Sequence, residues 1–133
     1  MNINNKLFTT ALEANFKAYA PYSGFKVGAA IYADNLQIYS GCNVENISFP
    51  CGTCAEAGAI AAMINGGAKK IIEILIVADS RSLIKPCGAC LQRIAEFATP
   101  ETIVHLANFK GIQKSLPLQQ LLPELFSAEE LLK

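Results

Sequence analysis

Residues 70–79 read KIIEILIVAD, and this stretch is the clearest indicator of the fold. It is a nearly continuous run of apolar, mostly β-branched side chains, which is typical of a strand that other elements cover on both faces. The alanine-rich residues 54–65 before it predict a helix that ends at a glycine pair, because alanine is the best helix former. A second helix is predicted after the strand, over residues 87–98. A buried strand between two helices indicates an α/β domain.

The rest of the chain extends this pattern. In chain order, the other predicted elements are a helix over 6–20, a strand over 25–33, a turn at 34–35, a returning strand over 36–44, a strand over 102–109 and short helical turns in the tail. Helices that alternate with buried strands favour an α/β domain with helices on both faces of the sheet. The length of 133 residues predicts one domain over residues 1–133.

Composition and charge exclude several classes of function. Apolar residues make up 52% of the chain, and eleven basic residues balance eleven acidic ones, so we expect no broad charged surface for nucleic acid or membrane. No stretch approaches the ~20 apolar residues that cross a bilayer, and the first residues lack a signal-peptide pattern. We therefore expect a soluble cytoplasmic protein. In that compartment, an odd number of cysteines indicates metal binding or catalysis rather than disulfide bonds.

Four cysteines form two pairs with the same spacing, and each pair falls where a strand leads into a helix. PCGTCAEAG (50–58) contains Cys51 and Cys54, and PCGAC (86–90) contains Cys87 and Cys90. Residues three apart in a first helical turn share a face, so Cys87 and Cys90 can hold one ion. The partial positive charge of a helix N-terminus also favours thiolates there. The two pairs therefore predict a metal site at one edge of the sheet.

The spacing alone leaves three kinds of site open. The four cysteines could close a structural zinc site, or the second pair could form a thioredoxin-like redox motif. Alternatively, Cys54, Cys87 and Cys90 bind zinc and leave the fourth position to water, whose pKa zinc lowers to about 7. Glu56 then transfers the proton of that water. We favour the open site because it gives Glu56 a role, and we interpret the single histidine, His105, as structural.

Cys-Ala-Glu followed by Pro-Cys-Gly-Ala-Cys resembles the signature of zinc-dependent cytidine deaminases of the small, homotetrameric type. The family order is kept over nearly the whole chain by YSGFKVGAAI (22–31), GCNVENISF (41–49), CAE (54–56), PCGACLQ (86–92) and LLPELF (121–126). The resemblance implies a three-layer α/β/α sandwich around a central mixed sheet of about five strands. It also implies one zinc ion on Cys54, Cys87 and Cys90, proton transfer by Glu56, and a Cys51 that does not bind the metal.

The resemblance also implies a substrate and the residues that bind it. It implies hydrolysis of cytidine and 2′-deoxycytidine to uridine and 2′-deoxyuridine with release of ammonia, a step of pyrimidine salvage. Asn43 and Glu45 match residues that hydrogen-bond the ribose, and Phe25 matches an apolar wall of the pocket. The backbone N–H of Ala55 matches a donor to the pyrimidine carbonyl. Phe126 matches an aromatic residue that stacks on the base, often from a neighbouring subunit.

Other functions stay open beside this one. A deaminase of another aminonucleoside, such as blasticidin S, would use the same chemistry, although Asn43, Glu45 and Phe126 favour a plain nucleoside. A non-catalytic binding module stabilised by zinc would need four sulfur ligands, including Cys51. A polynucleotide substrate is not expected, because the sequence has no basic stripe that could follow a strand.

Three positions depart from the family pattern. The family commonly has arginine directly after the glutamate and directly after the last cysteine, where this chain has Ala57 and Leu91, and it often has tyrosine where this chain has Phe49. Three thiolates carry more charge than Zn²⁺ offsets, and an arginine beside them tunes the acidity of bound water. We expect the backbone N–H groups of two helix N-termini to compensate, with a changed rate and pH optimum.

Overall fold

Five strands form one mixed sheet between two layers of helices in this computed structural model, which describes residues 2–132. The elements are α1 (Ile3–Lys17), β1 (Val27–Ala33), β2 (Ile38–Cys42), a 3₁₀ turn (Phe49–Cys51), α2 (Ala55–Asn65), β3 (Ile71–Ala78), α3 (Gly88–Glu96), β4 (Ile103–Asn108), β5 (Gly111–Pro117), α4 (Leu118–Leu121) and α5 (Glu129–Leu132). The strand order across the sheet is β2-β1-β3-β4-β5. Strands β3 and β4 pair in parallel, and the other neighbours pair antiparallel. The predicted α/β/α sandwich with a mixed sheet is confirmed.

The central strand β3 is buried on both faces, as its apolar run predicted. One face of the sheet packs under α1, in a layer that includes Leu7, Ala11, Leu75 and Val77. The other face packs under α2 and α3, in a layer that includes Met63, Ile74, Ile76 and Ile94. Full burial of such a side chain stabilises the fold by roughly 1.5–3 kcal/mol, so alternate residues of one strand hold both helical layers to the sheet.

Helix α1 begins and ends earlier than its predicted range of 6–20. The side chain of Asn2 caps it, because Oδ1 accepts a hydrogen bond of 2.8 Å from the backbone N–H of Asn5. After the helix, the N–H of Tyr19 donates to the carbonyl of Asn43 over 3.0 Å, so the chain pairs with the segment after β2 instead of continuing as a helix. None of the helices described within residues 2–132 is long and apolar enough to cross a membrane.

The tail contains a fifth strand that the sequence pattern did not predict. Strand β5 turns back on β4 through Phe109 and Lys110, and Gly111 adopts a positive φ of 127°, which favours glycine. As an edge strand, β5 leaves Gln113, Lys114 and Ser115 exposed. Its pairing comes from the backbone ladder, and its side chains lack the apolar alternation that predicts a strand.

His105 lies in the sheet, far from the cysteine pairs, in keeping with a structural role. It is 3% exposed, with Nδ1 2.7 Å from Ser115 Oγ and Nε2 2.6 Å from Glu73 Oε1. These partners come from β5 and β3, so the imidazole joins three neighbouring strands. Both ring nitrogens are thereby satisfied, as a buried polar side chain requires.

Helix α2 approaches β2 so closely that only glycine fits at the contact. A Cβ at Gly41 would lie 2.3 Å from the backbone nitrogen of Ala59, a distance that real side chains do not adopt. On the facing helix, a Cβ at Gly58 would meet the Cα of Gly41 at 3.4 Å, which is ordinary van der Waals contact. Gly41 therefore sets the height of α2 above the sheet, and with it the position of the first turn of α2.

We expect Gly41→Ala to lower the free energy of unfolding by about 1–3 kcal/mol, because the added methyl overlaps backbone that moves only if α2 shifts. Gly58→Ala is the matched control on the same contact. Its methyl has room and replaces a glycine inside a helix, so we expect a gain of about 0.5–1 kcal/mol. Urea unfolding measures both variants, and equal losses of stability would contradict this account of the contact.

Candidate metal centre and adjoining pocket

Both cysteine pairs lie at the same edge of the sheet. Strands β2 and β3 both pair antiparallel with β1, so they run in the same direction. The helix that follows β2 and the helix that follows β3 therefore begin at one edge, where sites in α/β proteins gather. Cys54 is the N-cap of α2 and Cys87 is the N-cap of α3, so the fold joins two motifs that are distant in sequence.

The backbone at Cys54 brings the side chain of Glu56 towards the sulfur. Residues two apart inside a helix point away from each other. Cys54 lies outside the helix, with an extended backbone (φ −86°, ψ 164°), and α2 begins only at Ala55. Glu56 is 4% exposed, so its carboxyl group lies inside the protein. The Cys-Ala-Glu spacing thus places a thiol and a buried acid on the same side of the helix start.

Three of the predicted residues form a compact cluster. The sulfur atoms of Cys54 and Cys90 and a carboxylate oxygen of Glu56 all lie within 4.8 Å of one another. Cys90 belongs to the first turn of α3 and is 2% exposed. A thiol from each of two helices and one buried carboxyl group therefore face a common point.

The remaining two motif cysteines lie outside this cluster. Cys87 caps α3 with an exposed side chain, so the packing that holds Cys90 does not restrict its thiol. Cys51 is exposed on the 3₁₀ turn, and its sulfur lies 3.5 Å from Ser48 Oγ. Cys87 shares the first turn of α3 with Cys90, whereas Cys51 belongs to a separate turn before α2.

Proton sharing and burial control the charges of the cluster. A hydrogen bond from Cys90 is the main reason that the pKa of Cys54 falls to about 5, and Arg93 lowers it further. The same shared proton raises the pKa of Cys90, with burial as the next cause. Burial raises the pKa of Glu56 to about 7, and the neighbouring Cys54 thiolate adds to this shift. Near neutral pH, the cluster therefore holds a thiolate, a thiol and a carboxyl group close to its titration point.

Arg93 contacts both sulfurs of the cluster, and the sequence analysis did not predict this role. Its Nη1 lies 3.8 Å from Cys54 Sγ and 3.7 Å from Cys90 Sγ. In the family pattern, arginine stands directly after the glutamate or directly after the last cysteine, and Arg93 occupies neither position. The available signal was the spacing of Arg93 from Cys90, because residues three apart on a helix are neighbours on its surface. The proposed compensation by helix N-termini stays a prediction beside this observed guanidinium.

The donor set of the cluster suits zinc. Thiolate sulfur is a preferred zinc ligand, and zinc sites commonly combine cysteines from two separate chain segments. The proton that Cys54 and Cys90 share is one that a cation replaces, since cysteine binds metals as thiolate. Glu56 forms no ion pair with any basic side chain described within residues 2–132, so its carboxyl group is available to a bound ligand.

A pocket of about 490 Å³ opens beside Cys54. Its lining residues are Tyr22, Ser23, Asn43, Val44, Glu45, Asn46, Phe49, Gly52, Thr53 and Cys54. This volume lies within the range of about 300–1,000 Å³ that is usual for small-molecule sites. The pocket brings together Asn43 and Glu45, the two predicted ribose ligands, with one sulfur of the cluster.

Asn43 and Glu45 also brace the loop between α1 and β1. Asn43 accepts a hydrogen bond from the N–H of Val27 and donates one to the carbonyl of Phe25, both over 2.8 Å. Glu45 Oε1 accepts the N–H groups of Tyr22 at 2.9 Å and Ser23 at 3.1 Å, and Oε2 accepts the Ser23 hydroxyl. The Ser23 hydroxyl is the main cause that lowers the pKa of Glu45, so this residue is an anion.

This bracing leaves hydrogen-bonding capacity on both side chains unused. The side-chain amide of asparagine has two N–H groups, and Asn43 uses one of them on Phe25. Each carboxylate oxygen accepts about two hydrogen bonds, and Oε2 of Glu45 accepts one, from Ser23. The second N–H of Asn43 and a lone pair on Glu45 Oε2 could hydrogen-bond to sugar hydroxyl groups, because a hydroxyl group both donates and accepts.

The other predicted pocket residues lie near the helix starts or at the surface. Ala55 is the first residue of α2, so its N–H is one of the donors that the helix itself does not use. Phe25 and Phe126 are both exposed, and neither lines the pocket beside Cys54. The backbone carbonyl of Phe126 accepts a hydrogen bond of 2.8 Å from Gln92 Nε2, which ties the C-terminal segment to α3.

Comparison with known proteins shows that this chain is similar to members of one family. A family model described as "Cytidine and deoxycytidylate deaminase zinc-binding region" matches residues 1–106. A cytidine deaminase of Sporosarcina psychrophila is 40% identical over 95% of this chain and 93% of its own, and one of Mycobacterium tuberculosis is 34% identical over 96% and 92%. The crystal structure of a cytidine deaminase from Burkholderia pseudomallei superposes with a TM-score of 0.87 at 38% identity, covering 95% of this chain and 100% of that one.

The buried acid predicts a pH dependence of stability in the zinc-free protein. The pKa of Glu56 is raised from 4.5 to about 7, so between these values the folded state binds more protons than the unfolded state. The stability contributed by this group is therefore full below pH 4.5 and is lost as the pH rises to about 7. Glu56→Gln removes the titration, so at high pH we expect the free energy of unfolding of this variant to exceed that of the wild type by up to about 3 kcal/mol.

The quantity to measure is the difference in the free energy of unfolding between the wild type and Glu56→Gln. The lowered pKa of Cys54 acts on stability in the opposite sense, and it is present in both proteins. Denaturant unfolding at a series of pH values gives the two profiles. A difference that stays constant between pH 4.5 and pH 8 would contradict the buried state of Glu56.

Proposed function

This chain belongs to the zinc-binding family of cytidine and deoxycytidylate deaminases, and we propose that it hydrolyses cytidine and 2′-deoxycytidine to uridine, 2′-deoxyuridine and ammonia. The observation that carries the proposal is the buried carboxyl group of Glu56 beside two cysteine sulfurs, one of them from Cys54, which also lines a pocket with Asn43 and Glu45. A deaminase needs a metal ligand set, a proton carrier and a nucleoside site, and all three meet at the starts of α2 and α3.

The zinc ion is held by Cys54, Cys87 and Cys90 in this proposal. When bound there, zinc supplies a Lewis acid that makes water reactive near neutral pH. Cys87 is the third ligand because it is the cap of the helix that carries Cys90, and its exposed thiol is free to turn towards the cluster. Cys51 stays outside, since it lies on a separate turn and its sulfur faces Ser48.

Glu56 moves the protons of the reaction. Water adds to C4 of the cytosine ring, the C4–N4 bond breaks, and the amino group leaves as ammonia. The Glu56 carboxylate takes a proton from the attacking water and delivers it to N3. It then takes the proton of the hydroxyl group now on C4 and delivers it to the departing amine, so that C4 becomes a carbonyl and ammonia leaves. Its buried position beside the two sulfurs lets the same carboxyl group reach both the attacking water and the base.

The pocket favours a nucleoside over a nucleotide. Asn43 and Glu45 offer their remaining N–H and lone pair to sugar hydroxyls. No lysine or arginine of residues 2–132 lines this pocket, and the anionic Glu45 would repel a phosphate. In the proposed complex, Phe25 forms an apolar wall, the N–H of Ala55 meets the pyrimidine carbonyl and Phe126 stacks on the base.

We propose that the active form is a homotetramer. Phe49, which lines the pocket, is 75% exposed in the single chain, and Ile47 nearby in sequence is 73% exposed. In the proposed assembly, neighbouring subunits cover these side chains. Phe126, which is 57% exposed, would then act in a neighbouring subunit. Sedimentation velocity measures the assembly, and cytidine turnover by a monomer would contradict it.

A free nucleoside substrate fits a cytoplasmic role in pyrimidine salvage, which forms part of the same proposal. Nucleosides from nucleic-acid breakdown carry no phosphate, in keeping with a pocket that has an acidic wall. Deletion of the encoding gene should abolish growth on cytidine as the pyrimidine source while growth on uridine continues.

We expect the zinc-loaded wild type to convert cytidine to uridine, and Glu56→Gln to lose about 10²–10⁴-fold of this rate while it keeps its zinc. Gln has the shape of Glu but cannot carry the proton. The fall in cytosine absorbance follows the reaction, and metal analysis counts the zinc. An active Glu56→Gln variant would contradict the role of Glu56, and turnover of blasticidin S without turnover of cytidine would contradict the substrate.

Cys51→Ser and Cys87→Ser form the matched control for the metal site. Both cysteines are exposed and each stands three residues before a cluster cysteine. We expect Cys51→Ser to retain zinc and activity, and Cys87→Ser to lose both. Loss of zinc in Cys51→Ser would instead indicate a closed site with four sulfur ligands.

We expect Glu45→Gln to lower kcat/KM for cytidine by roughly 5- to 150-fold, as an imperfectly paired hydrogen-bonding group costs about 1–3 kcal/mol. Turnover of free cytosine, which has no sugar, is the internal control and should change little. Comparing cytidine with its 5′-phosphate tests the acidic wall, and a wild type that prefers the phosphate would contradict the nucleoside assignment.

A further inference from the structure

The proposed zinc centre gathers more negative charge than its metal neutralises. Three cysteine thiolates outweigh the charge of Zn²⁺, and the carboxyl group of Glu56 lies within 4.8 Å of two of the sulfurs. Burial of like charges is costly unless a cation or hydrogen-bond donors accompany them. The family position directly after the glutamate holds Ala57 in this chain, so no guanidinium comes from there.

Arg93 reaches the sulfurs from the other helix. It lies three residues after Cys90 on α3, so its side chain starts on the same face, one turn further along. One nitrogen, Nη1, lies within hydrogen-bonding distance of both sulfurs, at 3.7 Å from Cys90 and 3.8 Å from Cys54. Because that nitrogen carries two N–H groups, it can donate one to each sulfur. The guanidinium therefore joins the cluster cysteine of α3 to that of α2.

The groove between the two helices has space for this side chain. Arg93 lines it together with Ala57, Ile60 and Ala61 of α2, and the groove has a volume of about 390 Å³. Only a methyl group projects from position 57, so the path to Cys54 is open. Glu96 lines the same groove, but no ion pair between Glu96 and Arg93 occurs in the described part of the chain. The charge of Arg93 is thus directed to the sulfurs.

We propose that Arg93 is a positioning residue of the zinc centre. It holds the sulfurs of Cys54 and Cys90 together and offsets their charge, a role that the arginine directly after the glutamate has in the family pattern. Arg93 contacts the sulfurs of two proposed ligands and does not line the proposed substrate pocket. Its exposed side chain contributes little to folding, because solvent screens exposed charges. Its effect should therefore appear in the properties of the metal site and not in the stability of the zinc-free fold.

The first test is the zinc affinity of the full chain, measured by competition with a chelator. We expect Arg93→Ala to raise the zinc Kd by about 10–100-fold, as is usual when a hydrogen-bond partner of a ligand is lost. Arg93→Lys should restore part of the affinity, because lysine carries the charge without the planar fork of donors. Arg81→Ala removes the other arginine of the chain, which is also exposed, and should bind zinc as the wild type does.

The second test replaces zinc with Co²⁺ and records the sulfur-to-metal charge-transfer band. N–H donors lower the energy of the sulfur lone pairs, so their loss in Arg93→Ala should move the band to longer wavelength, whereas Arg81→Ala should leave it in place. An unchanged band and a zinc Kd within about twofold of the wild type would overturn the proposal. So would an equal loss of affinity in Arg81→Ala.

This inference rests on the zinc ligands of the proposed function, and the two fail in different ways. A wild type that binds no zinc would contradict the centre itself. A wild type that binds zinc and turns over cytidine, together with an Arg93→Ala protein of unchanged Kd and unchanged cobalt spectrum, would contradict only the role of Arg93. Urea unfolding of the zinc-free variants completes the comparison, and a large loss of stability in Arg93→Ala would assign this residue to folding instead.

Discussion

The starts of α2 and α3 meet because β2 and β3 run in the same direction on either side of β1. The cluster of Cys54, Glu56 and Cys90 depends on this meeting, since Cys54 and Glu56 come from one helix start and Cys90 from the other. Two helix N-termini also direct partial positive charge to the same place, which favours thiolates. The topology of the sheet thus creates both the position and the electrostatics of the metal centre.

Concentrating acidic groups at one point opposes folding, and several features offset it. The thiol of Cys90 lowers the pKa of Cys54, burial raises the pKa of Glu56, and Arg93 places its guanidinium against both sulfurs. In the proposed function, the same buried carboxyl group accepts and donates the protons of the reaction. Groups with perturbed pKa values lower the stability of the fold, and they are common at active sites.

The wall of the pocket combines recognition with support. Asn43 and Glu45 hold the loop before β1 by hydrogen bonds to its backbone and to Ser23, and they retain one donor and one acceptor for a ligand. Because these side chains are fixed before a ligand arrives, little conformational entropy is lost on binding. The loop that they orient also carries Tyr22, which lines the pocket.

Local patterns in the sequence determined the buried strand, the alanine-rich helix and the cysteine spacing, because each depends on residues close together in the chain. Strand β5 was not predictable from its polar side chains, since an edge strand is held by backbone pairing. The contact of Arg93 with Cys90 follows from their spacing on α3, whereas its contact with Cys54 crosses from α3 to the start of α2 and no local spacing encodes it. Sequence alone determined which chemical groups the protein has. The tertiary structure decided which of these groups lie close enough to interact, because the distances between them depend on how β2, β3 and their helices pack.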